Sequence, residues 1–435
     1  MKKVKRISSA ILIFALIITM TLPSMSVNGA IKKPSNLGSH HSFVAIDART
    51  GEYLCGDNPD KKVYPASTTK LMTAIVLCEN GKLGQKITVK SSVLKKIPKD
   101  LSKCGLKAGE RYSLGDLLNM ILIASAGDAT YCAAVGVFGS TKKCVEAMNK
   151  KAKKLGLSKT CFDNVGGLDI GDGFKKNYTT AREMAKITRY AMGIDTIKKI
   201  TAQRSYLIQE TNGKRHKVIY NTNKFYSTAQ YSRNLYNIIG TKTGTTQAAG
   251  YVFSATAVNE KGNEVICVYM GRTSTDKTFS DIRKILDKIY TLSNKGTIKL
   301  STGEIKVTAV KTSYKFEYAK NKKVTIAPKF KDKVTGKTLT KYKGKVTFKS
   351  SNSNILTVSS KGVVTVKNPG EEYVTVRMYD SAYFKGTSVK IKFDIVDEGE
   401  TPEENNTPEE DNTQNPEKET EKTTESKCYN QEEYT

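Results

Sequence analysis

Ser67 and Lys70 stand three residues apart in the string Ser67-Thr68-Thr69-Lys70, and two further strings, Ser125-Ala126-Gly127 and Lys242-Thr243-Gly244, follow it along the chain. A serine hydroxyl one helical turn from an amine becomes a nucleophile if the amine is neutral, and burial with a second cation nearby drives a lysine toward that state. A loop serine between two helices can shuttle a proton to a leaving amine. A lysine and hydroxyls on an edge strand can bind a carboxylate, while glycine admits a substrate backbone. In order, the strings supply a serine acyl-transfer site whose base is lysine. Each alone also has a plain reading: a capping serine with a lysine reaching into solvent, a second capping serine, and a strand end with a turn. The first spacing recurs at Ser92/Lys95, Ser140/Lys143 and Ser274/Lys277, so context must discriminate.

Histidine is scarce. His40, His41 and His216 are the only three, and none stands in a triad setting, which leaves a Ser-His-Asp mechanism few candidates. Ser67 follows Tyr64-Pro65-Ala66 and opens an apolar helix with Leu71, Met72, Ile75 and Val76, whose first turn exposes its N–H groups. Further helices are expected at 114–124, 129–138, 143–155 and 180–192, with Ser113 and Asp116 forming a capping box. Strands are expected at Phe43–Ile46, Tyr53–Cys55, Asn237–Thr243, Tyr251–Val258 and Val265–Met270, before a helix carrying Ile282, Ile285, Leu286 and Ile289. Strands at both ends with helices between predict an α+β domain over 31–295, its antiparallel sheet drawn from the two termini.

The 435 residues exceed one ordinary domain. Lys2, Lys3, Lys5 and Arg6 precede an uncharged run from Ala10 to Leu22 and small residues at Gly29 and Ala30, which reads as a signal peptide over 1–30. The other reading, an uncleaved anchor, meets the objection that a spanning helix needs roughly 20 apolar residues. Export to the extracellular space, cell wall or outer face of the cytoplasmic membrane is expected. The eight cysteines form no C-x-x-C pair; buried thiols are expected, and neither metal nor organic cofactor is called for. From Asp397 onward fourteen acids face three lysines, so the net +29 divides into about −11 for the tail and about +40 for the rest. Such a basic surface attracts anionic wall polymers or lipid headgroups, or is simply solvated; no nucleic-acid motif is present. Short β-rich runs over 305–396 predict a small β-sandwich, and 397–435 is too poor in apolar residues to fold alone.

Taken together the strings resemble the set found in penicillin-binding proteins and class A β-lactamases. YPASTTKLMTAIV, LKAGERYSLGDLLNMILIASAGDA, MNKKAKKLGLSKTCFDNVGGLD, YTTAREMAK and GTKTGTTQAAGYVFSATA look like the low-molecular-weight D-alanyl-D-alanine carboxypeptidases, from about His41 to Leu292. No E-x-x-L-N string stands where a class A β-lactamase carries its deacylating glutamate. The resemblance implies a β-lactamase/transpeptidase-like domain that trims the terminal D-alanine from peptidoglycan stem pentapeptides through an acyl-enzyme, with β-lactams as covalent inhibitors. It implies Ser67 as nucleophile, Lys70 as general base, and Ser125 as the proton relay tuned by Lys242. Thr243 and Thr245, beside Gly244 and with Arg272, would hold the substrate carboxylate. Backbone N–H groups of Ser67 and Thr245 would form the oxyanion hole.

One position departs from that family. Its second motif ends in asparagine, which steadies the lysine and the acyl carbonyl, whereas this chain has Gly127 followed by Asp128. Either Asp128 or a water takes over, or the protein binds wall peptide with impaired catalysis; an endopeptidase acting on D-alanyl cross-links is a further alternative. SSNSNILTVSSKGVVTVKNPGEEYVTVRM resembles the group 2 bacterial immunoglobulin-like domains, which serve as surface spacers or adhesive modules.

Overall fold

The computed structural model describes residues 30–169, 177–213, 216–227, 235–309, 311–335, 338–339, 345–379 and 384–397. The expected signal peptide, apart from Ala30, and the acidic tail beyond Asp397 lie outside them.

A central sheet begins with β1 (Ser42–Asp47) and β2 (Tyr53–Asp57), joined by a turn in which the Asp47 carboxylate accepts from the N–H groups of Arg49 and Thr50. Then come α1 (Thr69–Asn80), β3 (Lys86–Thr88), α2 (Ser91–Leu94), β4 (Arg111–Ser113), α3 (Leu114–Ile123), α4 (Gly127–Phe138), α5 (Thr141–Lys154), α6 (Ala181–Met192) and α7 (Asp195–Thr201). A hairpin of β5 (Ser205–Gln209) and β6 (His216–Tyr220) leads to β7 (Asn237–Thr246), β8 (Gly250–Val258), β9 (Glu264–Arg272) and α8 (Thr275–Asn294). The sheet order is β2-β1-β9-β8-β7, antiparallel throughout, so the first strand lies in its interior against the last. This matches the expected α+β arrangement.

Alternation along β1 divides the sheet between two cores. Val44 and Ile46 join the apolar side chains of α1, α3, α4 and α6, while Phe43 and Ala45 pack with Phe279, Ile282, Ile285, Leu286 and Ile289 of α8. Helix α3 starts on the expected capping box: Ser113 Oγ accepts from Asp116 N–H, and the Asp116 carboxylate accepts from Ser113 N–H. Helix α1 differs in kind. Every residue from Thr69 to Leu77 is buried, so the helix runs through the core and carries Lys70 in with it.

The later strands are β10 (Ile305–Ala309), β11 (Ser313–Glu317), β12 (Lys323–Thr325), β13 (Pro328–Asp332), β14 (Val346–Ser350), β15 (Leu356–Val358), β16 (Val363–Val366), β17 (Gly370–Met378) and β18 (Thr387–Val396). Sheets β11-β18-β17-β14 and β12-β16-β15 share a core of Leu356, Val364, Val366, Val374, Val376, Ile391, Phe393 and Ile395. Ser301 joins this β unit to the rest: its N–H donates to Asp47 at 2.7 Å and its hydroxyl to Asp332. Burial pushes the Asp47 carboxyl up to about 6, with a smaller upward contribution from Asp332. Among the described residues no helix is long and apolar enough to cross a membrane. Six cysteines, among them the buried Cys55, Cys104, Cys132, Cys144 and Cys267, are free thiols, as expected, while Cys161 is disulfide-bonded.

Candidate active site

Ser67 sits in a single 3-10 turn, Ala66–Thr68, between Pro65 and α1. The turn is tight enough to hold Ala66 at φ +46°, a left-handed conformation costly to a residue with a Cβ. One turn on, Lys70 Nζ is 2.8 Å from Ser67 Oγ and donates to the Gly166 carbonyl at 2.9 Å. Lys70 is fully buried, and burial lowers its pKa to about 7. The amine is therefore partly neutral near pH 7 and can take the serine proton.

The loop that carries Gly166 is organised by Asn164. Its side-chain oxygen accepts from the N–H groups of Gly166, Gly167 and Leu168, and its amide donates to the Leu168 carbonyl. Gly167, at φ +85°, lies so close to the turn carrying Ser67 that a Cβ would sit 1.8 Å from the Ala66 carbonyl oxygen. Only glycine fits there. Asn164 was not singled out from sequence; the signal available was Asn-Val-Gly-Gly, a polar side chain beside two glycines at a turn.

The edge strand β7 forms the facing wall. A Cβ on Gly244 would lie 2.7 Å from Ser67 N, so the missing side chain is what lets this strand reach the serine backbone. Lys242 is buried, and its pKa falls well below the ordinary lysine value, first by burial and then by the charge of Lys70. A protonated Lys70 thus opposes protonation of Lys242. Lys242 Nζ donates to the Thr243 carbonyl at 2.9 Å. The Thr243 hydroxyl is 2.6 Å from that of Thr222, a residue sequence reasoning missed, whose N–H donates to Ile123 at the end of α3. Thr245 is exposed, and Thr246 donates to Asp169.

Ser125 occupies the break between α3 and α4 and is buried at φ +59°, again left-handed. Asp128 does not stand in for the missing asparagine. Its carboxylate accepts from the N–H groups of Cys104, Gly105, Leu106 and Ala129, which commits it to pinning the 104–106 segment against α4. Arg272, the remaining candidate for the substrate carboxylate, is held by two contacts at the end of β9. Its Nε lies 3.1 Å from the buried Asp281 carboxylate and its Nη1 donates to the Ser39 carbonyl, on the α8 side of the sheet. Of the histidines, His40 pairs with Asp57 and takes no part in the Ser67 cluster.

The family model for D-alanyl-D-alanine carboxypeptidases matches residues 30–274. D-alanyl-D-alanine carboxypeptidase DacF of Bacillus subtilis is 32% identical over 291 residues, covering 65% of this chain and 70% of that protein. DacC of Escherichia coli, a D-alanyl-D-alanine carboxypeptidase, is 31% identical over 256 residues, 56% of this chain and 60% of its own length. Among solved structures, a Streptomyces DD-transpeptidase superposes with a TM-score of 0.54 at 29% identity, covering 60% of this chain and 100% of that one. A D-alanyl-D-alanine carboxypeptidase of Mycobacterium tuberculosis gives 0.53 at 25%, covering 61% and 94%. The matched span holds every residue of the Ser67–Lys70–Lys242 cluster, and the chain belongs to the D-alanyl-D-alanine carboxypeptidase family.

Proposed function

We propose that the protein is a serine-type D-Ala-D-Ala carboxypeptidase that removes the terminal D-alanine from peptidoglycan stem pentapeptides outside the cytoplasm and is acylated by β-lactams. The observation that carries this reading is the buried Lys70 amine 2.8 Å from Ser67 Oγ. Ser67 attacks the carbonyl between the two D-alanines while Lys70 takes its proton. The N–H groups of Ser67 and Thr245 receive the developing oxyanion, each such donor contributing on the order of 3 kcal/mol in comparable sites. Ser125, influenced by Lys242, returns a proton to the leaving D-alanine, and water then attacks the ester to free the shortened peptide. Thr243 and Thr245 receive the substrate carboxylate, with Arg272 as a further cationic candidate. Incubating the protein with a stem pentapeptide should release D-alanine, and Ser67→Ala should abolish both that release and the covalent penicillin adduct. Absence of both in the unaltered protein would sink the enzymatic reading.

The β unit over 305–396 serves as an Ig-like spacer with a cationic face for anionic wall polymers. On sheet β11-β18-β17-β14, Val374, Val376, Ile391 and Phe393 point into the core, while Lys349, Thr375 and Lys390 form one row of the opposite face. Arg377 and Tyr373 are exposed on the neighbouring rows. Salt-sensitive sedimentation with cell walls, lost when the walls are stripped of anionic polymer and reduced by Lys349→Glu with Lys390→Glu, is the expected result.

A further inference from the structure

Gly127 opens α4, and a Cβ placed on it would lie 2.6 Å from Leu101 Cβ and 2.8 Å from Leu101 Cδ1. The same leucine touches the loop that holds the base: the Cβ position of Gly166 is 3.1 Å from Leu101 Cδ2. Gly166 is the residue whose carbonyl accepts from Lys70. Leu101 is 5% exposed and packs with Ile97 and Leu168. Its segment is fastened to α4, because Gly127 N–H donates to the Ser102 carbonyl at 2.6 Å and Asp128 accepts from Cys104, Gly105 and Leu106. One isobutyl group thus fills the space between the second motif and the Gly166 loop.

We propose that Leu101 is a positioning residue for Lys70: it occupies the volume a side chain at 127 would need and, by packing on Gly166, holds that carbonyl against the lysine amine. Gly127 and Leu101 are then a size-matched pair, with apolar packing doing at this wall what a hydrogen-bonding amide does in the wider family. The clash at 127 involves Leu101 Cβ as well as the tip of its side chain, so rotation alone cannot relieve it and the segment must move. Shortening Leu101 would instead open a void beside Gly166 and admit water to the amine. That would raise the proton affinity of Lys70; the other titratable group coupled to it is Lys242 on β7, itself driven toward neutrality, while Asp128 is bonded into the 104–106 segment.

The inference rests on Lys70 acting as the base, and the test separates the two. Acylation by a fluorescent penicillin is followed over a pH series for the full chain and for L101A, L101M, G127N and L101G/G127N, with thermal unfolding of each. L101A should acylate about tenfold more slowly or worse, with the midpoint of its pH profile moved upward and its non-covalent encounter affinity unchanged, while L101M retains the wild-type profile. G127N should lose about tenfold or more in rate, and L101G/G127N should regain most of it. An L101A enzyme with wild-type rate and profile, or a fully active G127N, overturns the proposal. If the unaltered protein is not acylated, the enzymatic reading fails instead. The size match is then read from unfolding, where G127N should be less stable than the parent and L101G/G127N should recover; absence of recovery overturns it.

Discussion

Ser67/Lys70 and Ser140/Lys143 have the same spacing and opposite fates. Ser140 caps α5, its hydroxyl accepting from the N–H of Lys143 at 3.2 Å, while the Lys143 side chain stands in solvent. That is the ordinary helix-start geometry. At Ser67 the hydroxyl makes no cap bond to α1, the serine precedes the helix in a strained turn, and the lysine is sealed in the core. The string sets only which atoms can meet. Burial decides whether the amine is neutral, and it comes from elements distant in the chain.

Four expectations press on this contrast. The largest effects belong to Ser67→Ala and Lys70→Met, each of which should lower D-alanine release at least about 10³-fold in steady-state assays, since nucleophile and base act as a unit. Lys70→Met should also stabilise the fold, by on the order of 1 kcal/mol or more in denaturant titration. Next comes pH. With the Lys70 pKa lowered to about 7, acylation should fall as the solution is acidified through neutrality. Between about 7 and the ordinary lysine value near 10.4, the unfolded chain binds a proton that the folded chain does not, so the Lys70 contribution to stability rises with pH across that window. A flat acylation profile around neutrality would exclude Lys70 as the base. Gly244→Ala should cost about 10- to 100-fold in acylation, because its Cβ would meet the Ser67 backbone as well as Val252, and the backbone contact cannot be relieved by a rotamer change. Smallest is the other string: Ser140→Ala should remove about 1 kcal/mol of stability and Lys143→Ala less than about 0.5, both with unchanged kcat.

Much of the scaffold was legible because its signals are local. The helical repeat of α8, the Ser113–Asp116 capping box and the apolar runs of β8 and β9 can each be read within a dozen residues, and the meeting of the two termini follows from strand placement. The hairpin of β5 and β6 escaped, because Leu207, Val218 and Tyr220 are exposed and leave no clean alternation of apolar and polar residues. Within the site, Ser67, Lys70 and Lys242 were visible as strings. Asn164, Thr222 and Leu101 were not, since an asparagine, a threonine and a leucine carry no chemistry until the fold sets them against Gly166, Thr243 and Gly127. Arg272 shows the converse case. Its charge was conspicuous in sequence, but its pairing with Asp281 of α8 was not, since the apolar repeat of a helix does not say which strand end its acidic residues meet.

The antiparallel pairing of β1 with β9 places Val44 opposite Val268, at nearly the two ends of the family domain. Sheets closed by such distant partners form slowly, since the loop entropy must be met before any pairing is gained. During synthesis the helices can begin to form early, but β1 has no partner on that side until β9 has been made. β7, which brings Lys242 and sets Gly244 against Ser67, is also made late, so the buried Ser67–Lys70–Lys242 arrangement can be complete only once nearly the whole domain has been made.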